Sequence, residues 1–345
     1  MEVLKQVLGI DVAQKELVVS LGRKFGDLSQ EIYAYKVFKN TERGMDDLLK
    51  WTKKLTIVDK PLLFVMEATG VYHEKFAYFL DGKGYKLSIL LPNKISNYIR
   101  TLDIKTVTDK TCSEAISQFG LERKLTEWEK PNKVYKNLKQ LTRERDQIVD
   151  ERVVAKNQLH AEESEACPNE NTVKRIKARI KFFNKQEAEI KRDIEQAKDE
   201  EVKSKLKKIT TIPGVGDLTA TIILAETNGF ELIKNKKQLT SYAGLDIKEK
   251  QSGTSIKGKP RISKKGNRSI RKAMHLPALA AIKHDENYKA IYNRLVSKNG
   301  VKMKGVVAVQ RKLLELIYVI YRNDTTYEKD YEKKKREQQT MVTPS

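Results

Sequence analysis

Apolar residues in the first 128 positions fall into two kinds of pattern. Five short runs rich in β-branched or aromatic residues predict strands. The predicted strands are Gln6–Val12, Glu16–Leu21, Glu31–Phe38, Leu62–Met66 and Tyr85–Leu91. Apolar residues at helical spacing predict helices between and after these strands. The predicted helices begin near Thr41, Tyr72, Pro92 and Asp109.

The order of these elements limits the fold. Three consecutive strands come first, and helices then alternate with two further strands. Strands joined by short turns form an antiparallel meander, whereas strands separated by a helix are usually joined in parallel. This order is that of the ribonuclease-H-like architecture, in which a meander is extended by parallel strands. We therefore expect an α/β domain of this fold over residues 1–128.

Residues 129–207 change to long helical periods. Positions at alternating spacings of three and four residues are apolar, with one polar exception, which predicts a heptad seam. The seam positions are Val173, Ile176, Ile180, Phe183, Glu187, Ile190, Ile194 and Ala197. A less regular seam upstream is interrupted by Arg145 and Arg152, and the turn-rich segment 167–171 separates the two. We expect an antiparallel coiled-coil hairpin that is either a spacer or a dimerisation arm.

Residues 208–325 predict a third, mostly helical domain, which gives an α/β plus all-α chain. Within it, residues 211–220 resemble a helix-hairpin-helix element, in which backbone N–H groups near Gly214 and Gly216 face a phosphate. A tight turn between helices with no ligand is the alternative. The charged segment 326–345 predicts a disordered tail.

Composition restricts the class of partner. The chain has 345 residues, with 68 Lys or Arg against 46 Asp or Glu, and a net charge of +22. This charge favours a polyanionic partner, nucleic acid ahead of a membrane surface. No apolar run reaches about 18 residues and the N-terminus lacks a signal-peptide pattern, so we expect a cytoplasmic protein with no membrane partner. Two cysteines, Cys112 and Cys167, exclude a disulfide framework and a cysteine-based zinc site.

Three acidic residues are candidates for a metal site. Asp11 lies among apolar strand residues, where a carboxylate is costly unless it is paired or binds a cation. Glu67 ends a strand that neighbours that of Asp11 in this fold, and Asp109 opens a later helix. Clustered carboxylates are the hard ligands that two-metal phosphodiester chemistry needs. For Asp109 taken alone, a helix N-cap is the stronger interpretation, and for Glu67 a solvent-exposed strand end is an equal alternative.

Three motifs surround these acids: Gly-Ile-Asp-Val-Ala at 9–13, Met-Glu-Ala-Thr-Gly-Val-Tyr at 66–72 and Lys-x-x-Thr-Asp-Lys at 105–110. They resemble the N-terminal domain of DEDD transposases of the insertion-sequence-110 family. The resemblance implies a domain similar to the Holliday-junction resolvase RuvC, with four acids that bind Mg²⁺ or Mn²⁺. Asp11, Glu67 and Asp109 match the first three of these acids.

The fourth acid position departs from the family pattern, because it holds Cys112. Cys112 lies three residues after Asp109 and so shares its helix face. A thiol is a soft group and a poor ligand for Mg²⁺. Cys112 is therefore either a weak fourth ligand or an inert small residue. Glu114 points elsewhere around the helix and cannot simply substitute, and Asp103 in the preceding loop is a further candidate.

The most basic segment lies in the third domain. Residues 246–272 contain ten Lys or Arg and two acids, and Gln-Ser-Gly at 251–253 falls within them. Taken alone, Ser252 belongs to a flexible loop that contacts phosphates. Together with Arg-Ile-Ser-Lys-Lys-Gly-Asn-Arg-x-x-Arg at 261–271, the pattern resembles the C-terminal domain of the same transposases, which implies that Ser252 is the nucleophile. The residues expected to bind nucleic acid are Gly214, Gly216, Lys257, Lys259, Arg261, Lys264, Lys265, Arg268 and Arg271.

Three functions stay open on the sequence. The resemblance implies a transposase that cuts and rejoins donor and target double-stranded DNA through a phosphoserine, guided by a bridge RNA from the mobile element. It also implies that acids and serine come from different subunits of a dimer or tetramer, in the bacterial cytoplasm at the nucleoid. A junction-resolving metal nuclease, in which water attacks, is the second function. A catalytically impaired nucleic-acid-binding protein is the third, and Cys112 favours it.

Overall fold

The computed structural model describes residues 2–68, 70–231, 233–248, 251–252, 256–257 and 261–329. For 251–252 and 256–257 it gives the course of the backbone. Contacts within the chain group it into two units, residues 1–130 and 131–345. Among the described helices, none has both the length and the apolar character needed to cross a membrane.

The first unit is built on a five-stranded sheet. Its strands are β1 (Val3–Val12), β2 (Glu16–Phe25), β3 (Gln30–Lys39), β4 (Leu62–Glu67) and β5 (Leu87–Leu90). They lie in the order β3-β2-β1-β4-β5. The first three are antiparallel neighbours, whereas β4 pairs in parallel with β1 and β5 in parallel with β4. This is the predicted ribonuclease-H-like order, and the fold class expected for this unit is confirmed.

Helices cover both faces of this sheet. They are α1 (Glu42–Leu55), α2 (Tyr72–Gly82), α3 (Pro92–Ile99) and α4 (Asp109–Glu122). Leu8 and Ile10 of β1 share a core with α1 and α2. Val7 belongs to a second core with α3 and α4. The division follows from the strand itself, because successive side chains point to opposite faces.

The second unit begins with two long antiparallel helices, α5 (Lys133–Glu163) and α6 (Glu170–Gln196). Lys177 pairs with Glu163 near the connecting segment, which fixes the antiparallel direction. Away from this segment, Leu138 and Ile194 belong to one core with the helices that follow. The base of the hairpin and the C-terminal helices therefore share a single hydrophobic core.

The polar exception in the predicted seam is part of an ion cluster. The Glu187 side chain is 7% exposed, and its carboxylate accepts hydrogen bonds from Arg145 and Arg152 on the opposite helix. Burial alone would raise the pKa of Glu187. The hydrogen bonds from Lys191 and Arg152, with the charge of Arg145, outweigh burial and lower this pKa to about 2. Arg145, Arg152 and Glu187, the three charged residues that interrupt the predicted seams, therefore form one charged contact between the helices.

The rest of the second unit is mostly helical. Its helices are α7 (Glu200–Ile209), α8 (Asp217–Thr227), α9 (Lys236–Tyr242), α10 (Arg268–Ala273), α11 (His275–His284), α12 (Glu286–Asn299) and α13 (Lys302–Asn323). Leu313 and Ile317 of α13 are fully buried in the shared core. Four two-residue strands lie between α9 and α10. They are β6 (Ile247–Lys248), β7 (Gln251–Ser252), β8 (Ile256–Lys257) and β9 (Arg261–Ile262).

The end of the described chain bears on the predicted tail, residues 326–345. Tyr327 falls within it, yet its hydroxyl donates to Asp285 Oδ2 at 3.0 Å and its N–H to Thr211 Oγ1 at 2.8 Å. The chain is thus packed against the helical unit as far as this tyrosine. The remainder of the predicted tail, residues 330–345, lies outside the described residues.

A buried carboxylate ties α5 to the C-terminal helices. The Glu226 side chain on α8 is 0% exposed, and its two oxygens accept hydrogen bonds from Arg143 of α5 at 2.7 and 2.9 Å. Asn267, the N-cap of α10, donates to the same carboxylate at 2.7 Å. Burial alone would raise the pKa of Glu226, but these hydrogen bonds hold it below its ordinary value. Glu226 therefore joins three elements at one charged group.

We predict that Arg143→Met destabilises the second unit by about 2 kcal/mol near neutral pH, because it removes charged hydrogen bonds from a buried carboxylate. A carboxyl whose pKa is depressed by folding contributes stability above its unfolded pKa, about 4.3, and loses it as pH falls. The difference between the two proteins should therefore shrink below about pH 4. Urea unfolding followed by circular dichroism measures it. Arg192→Met, which removes an exposed arginine of α6, is the control, and an equal loss there would contradict the prediction.

Candidate active site

Two of the predicted acids lie side by side at one edge of the sheet. In the parallel pair of β1 and β4, Ile10 stands beside Met66. Asp11 and Glu67 are the next residues along these two strands. Side chains at matching positions of neighbouring strands point to the same face. The carboxylates therefore share one face at the carboxyl ends of β1 and β4, and both residues are half-buried.

The third acid reaches this edge because α4 lies unusually close to β1. A Cβ atom on Gly9 would lie 2.3 Å from the carbonyl oxygen of Ser113 and from the amide nitrogen of Ser117. Only glycine allows the helix backbone to come this near. Asp11 is two residues beyond Gly9 and so faces the same helix. The N-terminal turn of α4, which begins at Asp109, therefore lies beside Asp11.

Small polar side chains complete this contact. Ser113 Oγ of α4 lies 2.7 Å from Ser20 Oγ of β2, and both side chains are fully buried. Ser117 Oγ donates to the carbonyl oxygen of Val7 at 3.3 Å. The sequence analysis missed these residues. The signal that reveals them is the run of small residues at spacings of four and three, Ser113, Ser117 and Gly120, along one face of the helix.

The predicted N-cap role of Asp109 is wrong. The N-cap of α4 is Thr108, whose hydroxyl accepts from the N–H of Thr111 at 3.2 Å, while Thr111 Oγ1 accepts from the N–H of Thr108 at 2.8 Å. This reciprocal arrangement is a capping box. Asp109 is the next residue and is exposed in the first helical turn. Its carboxylate is thus not needed to begin the helix.

The acids interact electrostatically. Burial, followed by the charges of Asp109 and then Glu67, raises the pKa of Asp11 to about 6. Neighbouring carboxylates disfavour one another's charged forms, and a cation relieves this repulsion. The donor chemistry of these three residues therefore fits a hard divalent ion. Within the part of the chain that the structure describes, no three His, Cys, Asp or Glu side chains are placed closely enough to hold a metal ion.

Cys112, at the position where the resemblance implies a fourth acid, faces the same cluster. Burial, followed by the charges of Asp11, Glu67 and Asp109, raises the pKa of this thiol to about 11. The sulfur is therefore a neutral thiol at neutral pH and a poor ligand for Mg²⁺. Glu114 does not replace it, because its carboxylate turns toward Lys110, 3.9 Å from Nζ. Asp103 is exposed in the loop before α4.

The predicted nucleophile and basic residues lie in the second unit. Ser252 lies on β7, where its backbone pairs with that of Ile256. Of the basic residues predicted to bind nucleic acid, Arg261, Lys264, Lys265 and Arg268 are exposed. Lys257 lies on β8, and Lys259 lies outside the described residues. Arg271 differs from the others, because it is half-buried and its Nη1 donates to the carbonyl oxygen of Ala243 at 2.7 Å.

The two glycines of the predicted hairpin lie between α7 and α8. Gly214 has φ +84°, and a Cβ there would lie 2.8 Å from the carbonyl oxygen of Pro277 on α11. Packing against α11 is therefore a sufficient reason for this glycine. Gly216 is the N-cap of α8, and a Cβ on it would meet no atom within 4 Å. Of the two, only Gly216 leaves open space at the start of a helix.

Two family models match the chain. The model described as "Transposase" matches residues 8–168, which hold all three acids, and the model described as "Transposase IS116/IS110/IS902 family" matches residues 206–293, which hold Ser252. The chain belongs to this transposase family. The expected family is thus confirmed, and it establishes the coarse function as DNA transposition or recombination.

Sequence similarity to one relative extends over almost the whole length of this transposase. It is 24% identical over 332 residues to the "Pilin gene-inverting protein" of Moraxella bovis, which spans 94% of this chain and 98% of the relative. It is 31% identical over 120 residues to a 43.6 kDa protein of insertion element IS110 from Streptomyces coelicolor. This match covers 35% of the present chain and 29% of the relative. Among solved structures, it is similar to RuvC of T. thermophilus in complex with a Holliday junction, with 10% identity and a TM-score of 0.27, over 36% of this chain and 99% of that one.

We predict that Gly9→Ala destabilises the first unit by about 3 kcal/mol, because the added methyl group meets the backbone of α4 and overpacks the contact. Tryptophan fluorescence during urea unfolding measures this, since both tryptophans of the chain, Trp51 and Trp128, lie in the first unit. Gly82→Ala is the matched control, because a Cβ at Gly82 meets nothing within 4 Å. A similar loss at both glycines would contradict the argument from close approach.

We predict that Cys112→Asp raises the affinity for Mn²⁺ by about tenfold or more, which corresponds to about 1.4 kcal/mol. The substitution replaces a neutral thiol with a hard anionic ligand beside the three acids. Electron paramagnetic resonance of free Mn²⁺ during a titration measures the affinity. Cys112→Ser keeps the size without the charge and is expected to bind as the wild type does. An equal gain in the serine variant would show that the thiol is not the weak point.

Proposed function

We propose that this transposase cuts and rejoins DNA through a covalent bond to Ser252, with Asp11, Glu67 and Asp109 binding Mg²⁺ or Mn²⁺. The observation that carries the proposal is the gathering of these three acids at one sheet edge, where burial, followed by the charges of Asp109 and Glu67, raises the pKa of Asp11 to about 6. Such an edge suits an ion that binds phosphate oxygens. Cys112 weakens the site but leaves three hard ligands.

The full-length relatives support rearrangement rather than simple degradation of DNA. A pilin gene-inverting protein is named for turning a DNA segment around, and it matches 94% of this chain. Inversion requires every strand that is cut to be joined again. A covalent protein–DNA bond conserves the energy of the cleaved phosphodiester, whereas hydrolysis by water does not. The relatives therefore favour a nucleophilic side chain over an attacking water.

The chemical step assigns distinct tasks to the two units. Ser252 Oγ forms a bond to phosphorus while the bond from phosphorus to one sugar oxygen breaks, and the serine proton is transferred to the leaving oxygen through solvent. The exposed residues Arg261, Lys264, Lys265 and Arg268 hold the phosphates and stabilise the added charge. Asp11, Glu67 and Asp109 hold the divalent ion, which supplies charge neutralisation and orientation of the phosphate when bound.

The resemblance to the family implies that the acids and the serine come from different subunits of a homo-oligomer, either a dimer or a tetramer, and the active site proposed here is of this kind. The α5–α6 hairpin serves as the spacer or dimerisation arm in this arrangement. Further contacts to DNA or RNA come from the segment around Gly214 and Gly216 and from Lys257, Lys259 and Arg271. A bridge RNA from the mobile element supplies sequence specificity by base pairing.

We predict that Ser252→Ala abolishes trapping of DNA on the denatured protein, by about 1,000-fold or more. The assay uses DNA bearing the ends of the mobile element, its bridge RNA and Mg²⁺ or Mn²⁺, and it scores both the cleaved strand and the protein–DNA adduct. Asp11→Asn should abolish both products, whereas Ser269→Ala, a serine of α10, should abolish neither.

The same assay separates the alternatives. Cleavage that persists in Ser252→Ala without any adduct identifies a junction-resolving nuclease that uses water. Binding without cleavage in the wild type, even after Cys112→Asp, identifies a nucleic-acid-binding protein without activity. Either result overturns the proposed chemistry.

A further inference from the structure

A cationic groove in the first unit is not used by the proposed chemistry. It lies between the edge strand β3 and helix α1, and its volume is about 650 Å³. Its charged lining includes Lys36, Lys39, Arg43, Lys50 and Lys54. Two aromatic residues, Phe38 and Trp51, also line it. We term it the β3–α1 groove.

The positive charge of the β3–α1 groove is largely uncompensated. Asp47 is the acid among the lining residues, and its carboxylate lies 3.8 Å from Lys50 Nζ. Among the described residues, no carboxylate forms an ion pair with Lys39, Arg43 or Lys54. Many other cations of the first unit do have such partners; Lys83 pairs with Asp46, for example. Uncompensated cations gathered in one concave surface attract a polyanion.

The charged residues of α1 that line the groove form a row of three cations and one acid. Arg43, Asp47, Lys50 and Lys54 are separated by four, three and four residues, which places them on one face of the helix. From Arg43 to Lys54 this row is about 16 Å long at the rise of an α-helix. The opposite face of α1 is buried in the core of the first unit. The three cations of this row, Arg43, Lys50 and Lys54, therefore follow the groove, as contacts to successive phosphates would, and Asp47 between them is paired with Lys50.

The aromatic residues provide the groove with a stacking surface. Phe38 is 8% exposed, and its ring centroid lies 5.6 Å from that of Trp51, at 60°. Lys36 Nζ lies 5.2 Å from the Phe38 ring. Trp51 is half-buried and lines the groove, and the Phe38 ring packs against it. Cations that follow a backbone, combined with an aromatic side chain for a base, are typical of single-strand binding sites.

The groove is separate from the acidic edge. Leu8 and Ile10 of β1 face the core that contains α1, whereas Gly9 and Asp11 face α4. The β3–α1 groove and the acids therefore lie on opposite faces of the sheet. β3 also forms the opposite edge of the sheet from β5. A phosphate bound in the groove is consequently not the phosphate that reacts.

Protection of an edge strand is the simpler explanation for part of this charge. Lysines on an exposed edge discourage pairing of the strand with another chain. This accounts for Lys36 and Lys39 on β3. It does not account for Arg43, Lys50 and Lys54, which lie on α1, or for the tryptophan between them.

We propose that the β3–α1 groove binds a single-stranded segment of nucleic acid, with phosphates on Lys39, Arg43 and Lys54 and a base stacked on Trp51. An unpaired strand is required, because a base within a duplex offers no free face to a side chain in a groove. The inference goes beyond the proposed function and does not need its chemistry. Binding is therefore measured without metal. The result then does not depend on whether Ser252 and the acids have the proposed catalytic roles.

The first test removes the three cations together from the full-length protein. Lys39→Gln/Arg43→Gln/Lys54→Gln is compared with Lys53→Gln/Lys75→Gln/Lys124→Gln, which removes three exposed lysines of the same unit outside the groove. Fluorescence anisotropy with a labelled 20-nucleotide strand measures affinity against salt concentration. Three lost phosphate contacts should lower the magnitude of the salt slope by about 2 and the affinity by about tenfold at low salt. The control should change neither by as much.

The probes distinguish the sources of the strand. Single-stranded RNA, single-stranded DNA and duplex DNA of equal length are tested, and a larger loss for one of the single strands identifies its natural occupant. An equal loss for duplex DNA overturns the single-strand proposal, as does an equal loss in the control variant. A groove variant that aggregates but binds all probes normally shows that the charge serves edge protection alone.

The second test observes Trp51 directly. The chain has two tryptophans, and Trp128→Phe leaves Trp51 as the sole source of tryptophan emission. Addition of the single strand should quench this emission, and the Lys39→Gln/Arg43→Gln/Lys54→Gln change should move the quenching to about tenfold higher strand concentration. Binding of the strand with unchanged Trp51 emission would place it elsewhere on the protein and overturn the proposal.

Discussion

The close approach of α4 to β1 at Gly9 is the constraint on which the acidic site depends. A side chain at this position would collide with the helix backbone at 2.3 Å. Displacing the helix would carry Asp109 and Cys112 away from Asp11, because both lie in its first turn. The same approach covers Asp11, and burial is the largest cause of the raised pKa of its carboxyl. One missing Cβ therefore determines both where the acids come together and why the pKa of Asp11 is raised.

The strand order and the elements that carry the acids could be predicted from the sequence. Apolar runs indicate which segments are buried strands, and the motifs show where the acids lie on them. The details that were predicted wrongly or missed depend on the backbone conformation and on contacts between distant residues. Thr108 and Asp109 are both good capping residues, and only the backbone angles show that the threonine is the cap. The close contact at Gly9 involves residues about a hundred positions apart, so no local pattern contains it. Arg145, Arg152 and Glu187 look like separate defects of two seams until the antiparallel register brings them together.

In the proposed chemistry, the two units supply different groups. The first holds the carboxylates, and the second holds the segment of Ser252. Glu226 fixes the base of that segment, because its carboxylate holds Asn267 at the start of α10 and Arg143 on α5. The hairpin is therefore attached to the support of the serine segment by a buried ion pair and by a shared core. A hairpin bound in this way is a rigid base for the segment and not a loose tether.

In the proposed metal site, Cys112 is a compromise between stability without the ion and affinity for it. Burial of Asp11, together with the charges of Asp109 and Glu67, already raises the pKa of Asp11 to about 6. A fourth carboxylate one turn along the helix would increase the repulsion among these charges whenever no cation is present. A neutral thiol with a pKa of about 11 fills the same position without charge. In the proposed site, the thiol thus lowers the electrostatic cost of folding without a metal, and the absence of a fourth charge weakens the hold on a hard cation. Stability of the empty site and affinity for the ion are opposed at this one residue.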